Sequence, residues 1–157
     1  MNGESLDPDV ADYLDDHRAA AMITTRPDGS SHAVRCGIAL VDGRLWSSGT
    51  RHRRRTAHLR RDPRCTLFVF GASADDQYSY LTLDTTVTVL DGDDAAEQNW
   101  QLFSIMQAAM DPPAGMLFWN GAPLGHDEFL QAMVQEQRLI YQFDVERSYG
   151  LFGNALR

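Results

Sequence analysis

Six β-type runs, hairpin signals between the early ones, and helical periodicity confined to a few segments predict a mainly β domain. The expected shape is a small, mainly antiparallel barrel with helices at its rim. At 157 residues the chain suits one domain spanning 1–157, and nothing in it marks a boundary or an internal repeat.

The elements follow in chain order. Asp7-Pro8 starts a helix over 8–17, because Asp caps free N–H groups and Pro at the first position loses no hydrogen bond. AAAMITT (19–25) reads as a strand, and Arg26-Pro27-Asp28-Gly29 as a hairpin turn. Strand 32–41 alternates: His32, Val34, Cys36, Ile38 and Leu40 share one face, and Ala33, Arg35, Gly37 and Ala39 the other. Asp42-Gly43 turns the chain into RLWSSG (44–49). The Arg-rich stretch 51–61 has helical character and stops at Asp62-Pro63. CTLFVF (65–70) is a buried strand and 78–90 a long alternating one. Ala96, Trp100, Phe103, Met106 and Met110 recur at helical spacing within 94–110, as residues of a core or a dimer seam. A Pro/Gly-rich loop (111–125), a helix (127–137) and a final strand (138–145) complete the chain.

Composition excludes several classes. With 14 basic against 22 acidic residues the net charge is −8, which argues against a duplex-DNA binder. The 43% hydrophobic content excludes an acidic disordered tail. Cys36 and Cys65 are too few for a disulfide framework and read as core residues. His32, His52 and His58 have no acidic or Cys partner at ligand spacing, so no metal is expected. No apolar run approaches a membrane span and the acidic N-terminus lacks a signal-peptide core, so a cytoplasmic protein is the expectation.

All fourteen basic residues are Arg, and seven fall between Arg51 and Arg64. In SSGTRHRRR (47–55) a strand ends in Ser47, Ser48, Gly49 and Thr50 and enters a helix start carrying Arg51, Arg53, Arg54 and Arg55. Hydroxyls, free N–H groups and guanidinium forks together can hold a phosphate, although the same residues would also make a solvated basic face. Single-stranded nucleic acid is disfavoured because no aromatics interleave with the arginines. Arg35, among Ala33, Gly37 and Ala39, lies either beside a groove for a flat ligand or on the solvent side of an exposed strand. Ser47 and Ser48 have no GxSxG context, so a hydrolase triad finds no support.

Thr25, Pro27-Asp28-Gly29, Val41-Asp42-Gly43, Ser47-Ser48-Gly49-Thr50, Arg54-Arg55 and Leu59-Arg60-Arg61-Asp62-Pro63-Arg64 occur in a particular order and spacing. In this the chain resembles the pyridoxamine-phosphate-oxidase-like split-barrel family of flavin and deazaflavin oxidoreductases, over about 19–90 and again at DVERSYG (144–150). The resemblance implies a six-stranded antiparallel split β-barrel with peripheral helices, 94–137 being a helical insertion before the last strand. It further implies a homodimer with two cofactor sites at the subunit interface. FMN or the deazaflavin F420 would place its phosphate at the Ser47–Arg55 corner, with Arg55 as the usual basic residue; Ala57 stands where many relatives carry another. The cofactor-binding residues implied are Arg35, Ser47, Ser48, Gly49, Thr50, Arg51, Arg54 and Arg55. The function expected is hydride transfer between FMN or F420 and a small organic substrate. The alternative is a non-catalytic module for a flavin, haem or another anionic ligand. No proton-transfer residue is assigned, although Tyr80 or Tyr149 could meet a substrate.

Overall fold

Turn chemistry sets the first strands. In the turn after β1 (Ala19–Thr25), Asp28 Oδ1 accepts from the Ser30 N–H at 2.9 Å and Gly29 takes φ +87°, returning the chain as β2 (Ser31–Gly37). Asp42 and Gly43, with φ of 51° and 77°, join β3 (Ala39–Val41) to β4 (Arg44–Thr50), the paired positive φ values of a hairpin turn. The computed structural model describes residues 5–153, so the extreme ends of the expected 1–157 domain lie outside the described residues.

The remaining elements are α1 (Pro8–Asp16), α2 (Arg54–Arg61), β5 (Arg64–Phe70), β6 (Tyr80–Leu90), α3 (Ala95–Met106), β7 (Met116–Trp119), β8 (Ala122–Gly125), α4 (His126–Gln135) and β9 (Arg138–Leu151). The fold is mainly β: seven strands form one curled antiparallel sheet in the order β2-β1-β5-β6-β9-β4-β3. The sequence count of six is corrected in two places. Strand 32–41 breaks at Ile38, which is fully buried and donates its N–H to the Arg18 carbonyl at 2.9 Å. In the expected loop 111–125, β7 and β8 form a separate hairpin around Asn120-Gly121, with φ of 51° and 83°.

The break at Ile38 has a topological effect. It sends β2 and β3, neighbours in sequence, to opposite edges of the sheet. The curl brings the edges together again: Ser47 Oγ of β4 donates to the Gly37 carbonyl of β2 at 2.6 Å. This hydrogen bond spans the seam of a half-barrel.

Inside the curl, Met22, Ile38, Leu67, Leu83, Leu139 and Tyr141 are fully buried. Outside it, α3 covers β3, β4 and β9 through Leu102, which packs on Trp46 and Ile140. The expected helical insertion has its own small core, where Leu117, Phe129 and Met133 pack with Trp100, Phe103 and Trp119. β9 runs to Leu151, past the expected end at 145, with a bulge opposite Asp84/Thr85.

Candidate functional site

The seam leaves a cavity of about 180 Å³, lined by Arg35, Cys36 and Gly37 from β2, Ser47 and Ser48 from β4, Arg53 and Arg55 at α2, Phe103 and Met106 of α3, and Arg138 of β9. Larger hollows of about 380 and 640 Å³ flank the β3–β4 turn. Carboxylates line both, including Asp42, Asp94, Glu97 and Asp144, whereas the seam cavity has four arginines and no acid in its lining. For an anionic ligand, charge selects the smaller cavity.

Arg55 is the central group. It is 6% exposed, its Nη2 donates to the Ser48 carbonyl at 3.3 Å, and its guanidinium lies 5.5 Å from the centre of the Tyr141 ring. Its Nε–H is buried with no acceptor among the described residues. A buried donor left unpaired costs about 1–3 kcal/mol, more on a charged group, so this atom is built to meet something. Burial, then the charges of Arg55 and Arg138, pull the Arg53 guanidinium below its usual range. These cations face one another.

The two serines have a different part from the one their sequence context suggests. Ser47 is 1% exposed and its proton is committed to the Gly37 carbonyl. Ser48 donates to Asn99 Oδ1, and the Asn99 amide is oriented by its own donations to the carbonyls of Ala95 and Leu139, at 2.9 and 3.4 Å. Both hydroxyls therefore present lone pairs, and the arginines are the donors an anion would meet.

Arg35, Ser47, Ser48 and Arg55 thus share one cavity, whereas Gly49, Thr50, Arg51 and Arg54 do not line it. A Cβ on Gly49 would collide with the Tyr141 ring, so that glycine serves packing. The Thr50 carbonyl accepts the Thr56 hydroxyl at 2.7 Å. Arg51 turns away to Asp91, its Nη2 donating to the Asp91 carbonyl at 3.3 Å. Arg54 opens α2, which begins three residues later than the basic stretch and has no side-chain cap. Arg35 is exposed at the cavity rim, on the outer face of the sheet.

Asn99, Phe103, Met106 and Arg138 join the site from the insertion and the strand after it. Met106 and Phe103 were legible as helical-face residues, but pattern alone could not direct them here. Nor is the small-residue face beside Arg35 open along its length, because a Cβ on Gly37 would collide with Met106 Cε. Cys36 is no nucleophile: burial pushes its thiol up.

Near the same corner, His58 Nδ1 bonds to Thr24 Oγ1 at 3.0 Å and the His32 ring stands edge-on at 4.9 Å. Burial, then His32 and Arg61, hold His58 below the usual imidazole range, and burial, then Arg26, does the same to His32. The unfolded chain consequently binds protons first as pH falls below about 6.5, and stability drops until the folded-state values are passed. His126, raised by its hydrogen bond to Glu97, works in the opposite sense but is solvent-exposed. We expect thermal midpoints to fall between pH 7.5 and 5.5, and to fall less in His58→Gln. Identical pH slopes for the two proteins would exclude this buried pair as the source.

The family described as "Pyridoxamine 5'-phosphate oxidase" matches residues 6–149. A search of curated proteins gave no match. Among solved structures, a conserved hypothetical protein of Mycobacterium tuberculosis is 16% identical with a TM-score of 0.71, covering 99% of this chain and 91% of that one. A protein described as an F420 reductase is also 16% identical, with a TM-score of 0.62 over 88% of this chain and 94% of its own. The haem storage protein HutZ of Vibrio cholerae is 12% identical, with a TM-score of 0.65 over 97% and 99%. At these identities the likeness is one of fold.

Proposed function

Because the chain belongs to the pyridoxamine 5'-phosphate oxidase family, we propose that it binds FMN or F420 at the seam cavity and moves hydride between that cofactor and a small organic substrate. The observation that carries this reading is the buried Arg55 with its unpaired Nε–H, set among arginines with no acidic lining. A phosphate fits that demand, since it offers several acceptor oxygens and negative charge to several guanidinium donors. The flavin or deazaflavin ring, when bound, supplies the redox chemistry. The chain contributes the rest. Arg55, with Arg53 behind it, holds the anionic group; Phe103 and Met106 exclude water from one side; Arg35 orients the ligand from the rim. Of the other corner residues, Ser48 would accept from a ligand N–H or O–H, while Gly49, Thr50, Arg51 and Arg54 support the corner's backbone and charge.

One observation favours a second reading, a non-catalytic binding module. The cavity lining has no carboxylate, imidazole or phenol to move a proton. Haem is the less supported occupant, because Cys36 and Met106 are the lining's metal-ligating side chains and it includes no histidine. Titration of the apo-protein separately with FMN and F420, followed by turnover of the loaded protein, decides among these. Saturable binding of either cofactor supports the proposal; binding of neither overturns it.

The reading includes a homodimer. Phe68, Phe70, Tyr149 and Leu151 are exposed on the outer sheet face, where Phe68 stacks on Phe70 and Tyr80 at 5.7 and 5.6 Å. Cross-strand register continues this face as a row, Arg35–Ala21–Phe68–Thr82–Tyr149, so a second copy laid on it would also reach the cavity rim. Trp100 and Phe103, which helical spacing assigns to a core or a dimer seam, pack with Trp119 around Phe129 within the chain. Light scattering at micromolar concentration should give twice the chain mass, and Phe68→Arg should give monomer. A monomeric parent protein would contradict the dimer. Neither nucleic acid nor membrane is proposed as partner; among the described residues no helix is long and apolar enough to cross a membrane, and a cytoplasmic location belongs to the same proposal.

A further inference from the structure

Arg138 opens β9 and stands between the seam cavity and a neighbouring hollow of about 310 Å³. That hollow is lined by Gln107, Met110, Phe118, Trp119, Asn120 and Gly121 in addition to Arg138, its one charged lining residue. Most of this wall comes from the β7–β8 hairpin, which Gln107 clamps by accepting from the Phe118 N–H at 2.8 Å and donating to the Phe118 carbonyl at 2.9 Å. The hairpin's Trp119 in turn aims the arginine. The guanidinium lies 4.9 Å from the centre of its indole ring, and Glu136 ties the two together. One Glu136 oxygen accepts from Arg138 Nε at 3.1 Å and Nη2 at 3.0 Å; the other accepts from Trp119 Nε1 at 2.6 Å.

One edge of the fork is thereby occupied, and Nη1 has no acceptor among the described residues. Glu136 does not neutralise the neighbourhood, because Arg35, Arg53, Arg55 and Arg138 all line the adjoining cavity. A planar guanidinium held along one edge, with the other open beside apolar Met110, Phe118 and Trp119, matches a carboxylate on an apolar body.

We propose that Arg138 anchors a carboxylate in a second subsite, an apolar-bodied anion lying along the Met110–Trp119 hollow beside the cofactor corner. The inference rests on the cofactor reading of the seam cavity. The carboxylate belongs to a substrate that meets the bound cofactor; a polyglutamate tail such as that of F420, a polar chain of charges, does not match an apolar hollow.

The test uses benzoate and its neutral isostere benzamide as probes, read by tryptophan fluorescence, with FMN and F420 titrated in parallel. Benzoate should bind the wild-type protein at least tenfold more tightly than benzamide. Arg138→Met, which keeps the apolar stem, should weaken benzoate at least tenfold; FMN and F420, which both lose one of the four cavity arginines, should weaken in step with each other. An F420 affinity that falls at least tenfold further than that of FMN would put the cofactor's anionic tail at Arg138 and overturn the proposal. Equal affinities of benzoate and benzamide for the wild-type protein would overturn the proposal without recourse to a variant. So would an Arg138→Met protein in which benzoate moves no more than twofold. Failure of FMN and F420 to bind the wild-type protein, with benzoate still dependent on Arg138, would strike the cofactor reading alone.

Discussion

Arg55→Ala should weaken binding of both FMN and F420 by about 10- to 150-fold, the equivalent of about 1.5–3 kcal/mol for losing a hydrogen bond to a charged group. The size of the effect follows from the burial of Arg55 and from its Nε–H, which no acceptor among the described residues satisfies. Low local dielectric strengthens the contact with an anion, and nothing else in the cavity replaces the donor that points from that position. The apo-protein should behave differently. A buried guanidinium with an unpaired N–H is a cost in the absence of ligand, so truncation should leave apo stability nearly unchanged, lost packing on Tyr141 offsetting the relief. Affinity in the parent protein should also decline with salt, since the arginine cluster contributes long-range attraction. Calorimetry of parent and variant with each cofactor checks this, and unchanged affinity for both would remove Arg55 from the site.

Phe129→Ala should cost about 3–5 kcal/mol of stability, the range for deleting a buried aromatic. Phe129 is fully buried and meets Trp100, Phe103 and Trp119 edge-on at 5.3, 6.0 and 5.5 Å, so its removal leaves a hole bounded by rigid rings that cannot collapse to fill it. The damage should not stay in the core of the insertion. Phe103 lines the seam cavity and Trp119 steers Arg138, so ligand affinity should weaken along with the denaturation midpoint. A loss below about 1 kcal/mol in urea titration would mean that the insertion's core contributes little to global stability.

Local chemistry was legible in the sequence; closure was not. Asp28-Gly29 and Asp42-Gly43 announce their turns because only certain residues accept positive φ, and the helix start at Asp7-Pro8 is legible from its cap, the Asp7 side chain accepting from the Asp9 N–H. Asn120-Gly121 carries the same signal, but its flanking strands are only four residues each, too short for their alternation to stand out from a Pro/Gly-rich stretch. The break at Ile38 has no local mark, because alternation continues through it and only the edge-to-edge closure of the sheet makes it visible. In the site, Arg55 and the serines lie close together in sequence and could be grouped by eye. Arg138 could not. Its place depends on β9 pairing with β4, where Thr50 faces Arg138 across 88 positions of chain.

That pairing also bears on how the molecule reaches its native state. β9 lies between β6 and β4 and is the sole strand joining the β2-β1-β5-β6 portion to the β4-β3 hairpin. A nascent chain can form both portions early, since each rests on pairings within or between elements already made, but must wait for β9 before the sheet is continuous. Distant pairings of this kind slow folding and leave strand edges unsatisfied in the meantime. The vulnerable period therefore lasts until β9 has emerged, with the β6 and β4 edges open together. Holding the chain on the ribosome before Arg138 emerges should leave it sensitive to protease and chaperone capture, and emergence of β9 should end both.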